Sequence, residues 1–204
     1  MISLGIPESK LRVTGIPVRA AFLQLSRAEE QSHSSENLPV FLFVCGGGQG
    51  YTNAFEYFKQ LLKVNYPCSY IFIAGHNRRL FKKAEQLANH SQVAGQVLGF
   101  VDNLDELMRR SFLVFGKPGG LITSEALSLG VPFCALSPIP GQESLNAKFL
   151  IDHHFGFAPA DITEFQSLLE RLQTNKIDLS SYRKAIHDHF QKFSFPDDIL
   201  SVLS

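Results

Sequence analysis

Hydrophobic positions along the chain come in short unbroken runs, each followed by a stretch in which they recur every third or fourth residue. VFLFVCGG (Val40 to Gly47) is continuous rather than alternating and ends in glycines, as a strand buried on both faces would. TNAFEYFKQLLKV follows, with Phe55, Phe58, Leu61 and Leu62 on one face of a helix. The alternation then repeats. CSYIFIAG predicts a strand and NRRLFKKAEQLAN a helix capped by Asn77. QVLGF predicts a short strand, and DNLDELMRR a short helix starting at an Asp cap. SFLVFGKPGG reads as a strand and LITSEALSLG as a helix closed by Gly130. VPFCALS is a further strand, with a helix expected around Glu143 to Asp152. Strand–helix units on short connections predict a doubly wound α/β domain, a parallel sheet with helices on both faces. In such sheets ligands bind at the carboxyl ends of the strands. The glycine clusters, Gly46 to Gly50 and Gly116, Gly119 and Gly120, fall there.

Two segments stand outside this rhythm. Residues 24–39, QLSRAEEQSHSSENLP, are polar and aperiodic and read as a flexible loop. Residues 162–204 read as terminal helices, through EFQSLLERLQ and YRKAIHDHFQKF.

Composition narrows the function classes. With 204 residues, 45% hydrophobic and 19% charged, the chain can bury a full core in one large domain. Zero formal net charge removes the basic footprint expected of a nucleic-acid binder. Arg78, Arg79, Lys82 and Lys83 lie together on a predicted helix; that run is either a solvated face or a contact for an anionic membrane surface. Cys45, Cys68 and Cys134 are far apart and each sits in an apolar run, so they read as buried thiols in a reducing cytoplasm rather than a metal or disulfide framework. No apolar run reaches the length of a transmembrane helix.

The loops carry the chemistry. GGGQG between strand and helix lets backbone amides approach an anion, or else serves a tight turn; it lacks the ending of a P-loop. GKPGGLITSE opens a helix whose first-turn amides and dipole favour phosphate, with Thr123 as a further donor. Glu125 is placed to accept two vicinal hydroxyls, or only to complement the helix dipole. In GFVDNL, Phe100 offers a flat face for a base. In PIPGQESLN, two amides and a carboxylate (Gln142, Asn146, Glu143) suit a polyhydroxyl ligand such as a sugar. Together these describe a nucleotide-sugar site. His76, in AGHN, faces the cleft or is a loop histidine without a task; His153, His154, His187 and His189 read as structural or exposed.

VTGIPVR, GGGQG, GFVDNL, KPGGLITSEALSLGVP and PIPGQESLNAKFL, in this order and spacing, resemble the C-terminal half of GT-B glycosyltransferases of family 28, from roughly Leu11 to Ile151. That group includes the enzyme that adds N-acetylglucosamine to the lipid-linked peptidoglycan precursor, plant monogalactosyldiacylglycerol synthase and bacterial processive diacylglycerol glucosyltransferase. The KPGG run and the PGQE…N cluster are most like the last two. The resemblance implies that residues 1–204 form a Rossmann-like nucleotide-sugar (donor) binding domain. By it, Phe100 and Val101 would hold uracil, Glu125 the ribose hydroxyls, and Gly119, Gly120 and Thr123 the diphosphate. Gln142 and Glu143 would contact the donor hexose, Asn146 would support that loop, and Gly47, Gly48 and Gln49 would line the opposite wall. It also implies no metal and no cofactor beyond the UDP-sugar substrate, and a cytoplasmic protein peripheral at the membrane face.

In the family, VTGIPVR opens the C-terminal domain, and here it begins at Val13. The N-terminal acceptor domain is therefore expected to be absent, no catalytic residue is assigned, and the chain is expected to bind a UDP-sugar without transferring it. The implied activity of the whole is inverting transfer of a hexose to a lipid acceptor such as diacylglycerol. The alternatives are a non-catalytic donor-binding subunit that works with a separate N-terminal-domain chain, and an N-acetylglucosaminyltransferase of the peptidoglycan type. Non-hydrolysing UDP-N-acetylglucosamine epimerases share the architecture, but KPGGLITSE followed by PGQE fits them less well.

Overall fold

A computed structural model describes residues 16–22, 38–45, 53–64 and 67–190, together with Gly5 and Pro7. The strands are β1 (Val40–Val44), β2 (Ser69–Ile73), β3 (Ala94–Leu98), β4 (Leu113–Gly116), β5 (Phe133–Ala135) and β6 (Gly156–Phe157). They form one sheet in the order β3-β2-β1-β4-β5-β6, every neighbouring pair parallel. The helices are α1 (Ala54–Leu61), α2 (Arg78–Ala88), α3 (Leu104–Arg109), α4 (Gly120–Ser128), α5 (Gln142–Asp152), α6 (Ile162–Gln173) and α7 (Leu179–Phe190). This is the Rossmann-like, doubly wound α/β architecture expected from the alternating pattern.

The continuous apolar runs are explained by the two faces they serve. Phe41, Phe43, Tyr70, Phe72, Leu113 and Phe115 point into one core, with Tyr57 and Phe58 of α1 and Phe165 of α6. The intervening Leu42, Val44, Ile71, Ile73 and Val114 point into the other, with Met108 of α3, Leu127 of α4 and Leu150 of α5. The first core is aromatic: Phe43 and Phe115 stack at 4.6 Å between centroids, and Phe58 meets Tyr70 edge-on at 4.9 Å. Burying one such ring contributes roughly 1.5–3 kcal/mol, so a strand with no polar position is stable only when both faces are covered. The three cysteines are buried thiols, as expected.

Some helix ends follow their capping residues. Asn77 Oδ1 accepts from the Leu80 amide at 2.9 Å. At the end of α4, Val131 N donates to Ala126 O at 3.0 Å and Gly130 N to Leu127 O at 2.9 Å, with Gly130 at φ +71°. That pair of bonds is the Schellman closure, and it needs a residue tolerant of left-handed φ. Two boundaries differ from the reading above. The residue before α3 is Asn103, not Asp102, and its side chain makes no cap bond; its Nδ2 instead donates to Glu106 Oε2 at 3.2 Å. Burial of Leu107 and Met108 sets the phase of this short helix, overriding the local cap preference. β3 begins at Ala94 rather than Gln96, because backbone pairing of Ser69 with Ala94 and Tyr70 with Gly95 extends the edge strand without apolar side chains.

β6 has no counterpart in the sequence pattern. Its two residues pair with Phe133 and Cys134. A Cβ on Gly156 would stand 1.8 Å from Phe133 O, so the strand approaches β5 as only glycine permits. Of the polar segment 24–39, only Leu38 and Pro39 lie within the described residues; of 162–204, α6 and α7 account for the described part.

The strand order reverses between β1 and β4, which pair directly. The crevice outside their carboxyl ends is where such sheets bind ligands. In sequence the two glycine clusters follow or close these strands; Gly46 to Gly50 lie outside the described residues, and Gly116, Gly119 and Gly120 run from the end of β4 to the start of α4.

Candidate functional site

The loop after β4 is short: Lys117, Pro118, Gly119, then α4. The Gly119 amide donates to Lys117 O at 2.8 Å and Gly119 O accepts from Thr123 N at 3.1 Å. The Gly119 amide is thus spent within the loop. Helix geometry leaves the amides of Gly120, Leu121 and Ile122 without carbonyls from their own turns, at the positive end of the dipole. Thr123 lies one turn further, buried, and its Oγ1 is the one buried side-chain polar atom among the described residues without a hydrogen-bond partner. Glu125 is also buried, at 2% exposure. Its Oε1 accepts from Arg19 Nε at 2.7 Å, while the Arg19 guanidinium lies 4.8 Å from the Phe22 ring centroid. The helix start therefore presents free amides, an unsatisfied hydroxyl and a carboxylate covered by a half-exposed cation.

The loop after β5 is tied to this helix start. Asn146 Nδ2 donates to Pro118 O at 2.7 Å, Glu143 Oε1 lies 3.6 Å from Lys117 Nζ, and Glu143 Oε2 accepts from the Ile139 amide at 3.1 Å. Gln142 is exposed, and its Nε2 lies 3.6 Å from where a Cβ on Gly120 would stand. The loop also contains Ser137 at φ +45°, whose Oγ is 3.3 Å from the Tyr57 hydroxyl of α1. A non-glycine residue in the left-handed region marks a conformation imposed by its surroundings.

At the other end of the edge, Phe100 follows β3 and is 60% exposed, while Val101 is half-buried against the second core. The His76 ring, after β2, stacks on Phe100 at 4.4 Å and 11°. Of the residues expected at the site, Gly119, Gly120, Thr123, Glu125, Gln142, Glu143 and Asn146 thus converge on one helix start. Phe100 and Val101 lie after β3, farther along the same edge. Gly47, Gly48 and Gln49 lie outside the described residues. Among the described residues no three His, Cys, Asp or Glu side chains are grouped to hold a metal ion.

Known proteins resemble the chain in sequence and in fold. No family model matches it. A processive diacylglycerol beta-glucosyltransferase of Bacillus cereus is 28% identical over 189 residues, covering 91% of this chain and 48% of that protein. Its namesake in Bacillus subtilis is 30% identical over 155 residues, 74% of this chain and 40% of that one. The homologues are diacylglycerol glucosyltransferases. The chain spans about half the length of these curated relatives. Among solved structures, MurG of Acinetobacter baumannii superposes with a TM-score of 0.65 at 16% identity, over 89% of this chain and 54% of that one. UDP-GlcNAc 2-epimerase of Neisseria meningitidis, bound to UDP-GlcNAc, does so with 0.62 at 17% identity, over 91% and 51%. The fold is that of one half of a GT-B glycosyltransferase, an architecture this epimerase shares.

Two residues at the site were not singled out from the sequence, and a third was left between two readings. Arg19 belongs to the VTGIPVR run, but nothing local marks it as the partner of a residue 106 positions away. Lys117 is a lone lysine beside a proline, and its pairing with Glu143 exists only once β4 and β5 lie side by side. For His76 the sequence leaves a cleft-facing ring or a loop histidine without a task; its stacking partner, Phe100, follows the neighbouring strand.

Proposed function

We propose that this chain is the UDP-sugar-binding half of an inverting glycosyltransferase that passes a hexose to a lipid acceptor such as diacylglycerol. The observation that carries the reading is the start of α4, where open amides, the partnerless buried Thr123 hydroxyl and the buried Glu125 carboxylate meet at the sheet's switch point. The diphosphate lies against the amides of Gly120, Leu121 and Ile122 and takes the Thr123 hydroxyl as donor. Ribose hydroxyls donate to Glu125, displacing or sharing the Arg19 contact. The uracil rests at Phe100 and Val101. Gln142 faces the hexose, while Glu143 and Asn146 hold its loop against Lys117 and Pro118. The homologues' names supply the acceptor class.

The chemistry follows from that placement. An acceptor hydroxyl attacks the anomeric carbon opposite the departing UDP, and the helix start stabilises the charge that builds on the leaving diphosphate. Transfer needs the acceptor oriented against that carbon. The 204 residues span about half the length of the relatives and on this reading bind the donor; transfer also needs an acceptor-binding surface. The exposed Arg78, Arg79, Lys82 and Lys83 face of α2 suits a peripheral contact with anionic lipid. No helix among the described residues is long and apolar enough to cross a membrane.

The test is calorimetric titration with UDP and ADP, on the chain and on Glu125→Ala. UDP should bind, ADP more weakly, and the substitution should lower UDP affinity at least about tenfold, as expected when a charged hydrogen-bond acceptor is lost. Unchanged UDP binding in a folded Glu125→Ala variant would remove the ribose assignment; no UDP binding by the chain would remove the reading.

A further inference from the structure

We propose that His76 is a positioning residue for a nucleobase: it fixes Phe100 from behind, so that two stacked rings from adjacent strands form the base end of the site. The inference rests on the nucleotide reading above. β2 and β3 are parallel neighbours in register, Ile73 opposite Leu98, so the loops after them leave the sheet side by side. His76 stands three residues past β2 and Phe100 two past β3, and their rings lie almost parallel at 4.4 Å. The His76 ring covers one face of Phe100, and 60% of the residue stays exposed. Its neighbours Leu98 and Val101 turn into the second core, while Phe100 is held out of both cores.

The backbone behind His76 is well tied. Ala74 N donates to Leu98 O at 2.8 Å, Asn77 N to Ala74 O at 3.2 Å, Arg78 N to His76 O at 3.0 Å, and Asn77 caps α2. An exposed ring pair shields little from water, so it adds little to the core. It is instead a flat apolar platform of fixed orientation, whose free face takes a third flat ring with no ordering cost to Phe100. The ligand class is a nucleoside diphosphate, and the contribution of His76 falls on its base alone.

That restriction supplies the test. UDP and inorganic pyrophosphate are titrated into the chain and into His76→Ala, His76→Phe and Phe100→Ala, with circular dichroism confirming that each variant folds. His76→Ala should weaken UDP about three- to tenfold, the worth of one aromatic contact, and leave pyrophosphate affinity unchanged. His76→Phe, which restores a flat ring, should recover UDP binding, and Phe100→Ala should lose more than His76→Ala. Wild-type UDP affinity in His76→Ala, or equal losses for UDP and pyrophosphate, would overturn the inference while the nucleotide reading stands. Absence of UDP binding in the unsubstituted chain would overturn both.

Discussion

Thr123 poses the clearest residue-scale question, because a buried hydroxyl without a partner costs about 1–3 kcal/mol that an isosteric apolar side chain would not. Nothing in folding requires it. Thr123→Val should therefore raise the thermal midpoint and at the same time weaken UDP binding, an opposite movement of stability and affinity. A variant that loses stability, or binds UDP as before, would show that the hydroxyl serves the fold. Glu125 presents the complementary case: its carboxylate is satisfied by Arg19, so its burial is explained without ligand, and only the titration with Glu125→Ala separates the roles. These residues were legible as a set in KPGGLITSE because glycines, a threonine and a glutamate opening a helix make local chemical sense. The Arg19 contact was not, since an ion pair across 106 residues is set by packing alone.

At the scale of elements, the strands and helices followed the apolar periodicity, and the misses fell where periodicity is silent. Asp102 yielded its cap position to Asn103, and β3 starts where pairing, not hydrophobicity, begins. β6 is two residues long and visible only through its neighbour. Two glycines differ accordingly in what they should do when substituted. Gly130→Ala puts a side chain at φ +71° and should cost about 1 kcal/mol. Gly156→Ala forces a Cβ onto the Phe133 carbonyl and should cost about 3 kcal/mol or more, lowering the midpoint by roughly 6–12 °C. Differential scanning calorimetry of both variants checks the order; a smaller loss at Gly156 would mean that β6 is not held against β5.

For the molecule as a whole, the aromatic core makes a prediction about pH. Burial pushes the Cys68 thiol from 9.0 up to about 11, and raises Cys134 well above 9.0. It also raises the phenols of Tyr70 and Tyr182 above 10.0, against the opposing charge of Arg171 at Tyr182. The folded chain keeps these protons where the unfolded chain releases them. This contribution is complete below about pH 9 and is lost as the pH rises toward about 11. The urea midpoint should fall between pH 8 and pH 10.5 at constant slope, and less so in Cys68→Ala. A flat profile would place these groups in contact with water.

The alternation of apolar runs and amphipathic stretches was enough to determine a parallel α/β sheet and the glycine-rich loops at its carboxyl edge, because burial on two faces leaves each strand one admissible composition. Strand order was decided only in three dimensions. It sets β1 beside β4, lays the PGQE loop on the start of α4 and brings His76 onto Phe100. Periodicity along a chain encodes which face a residue buries, and says nothing of which neighbour it meets.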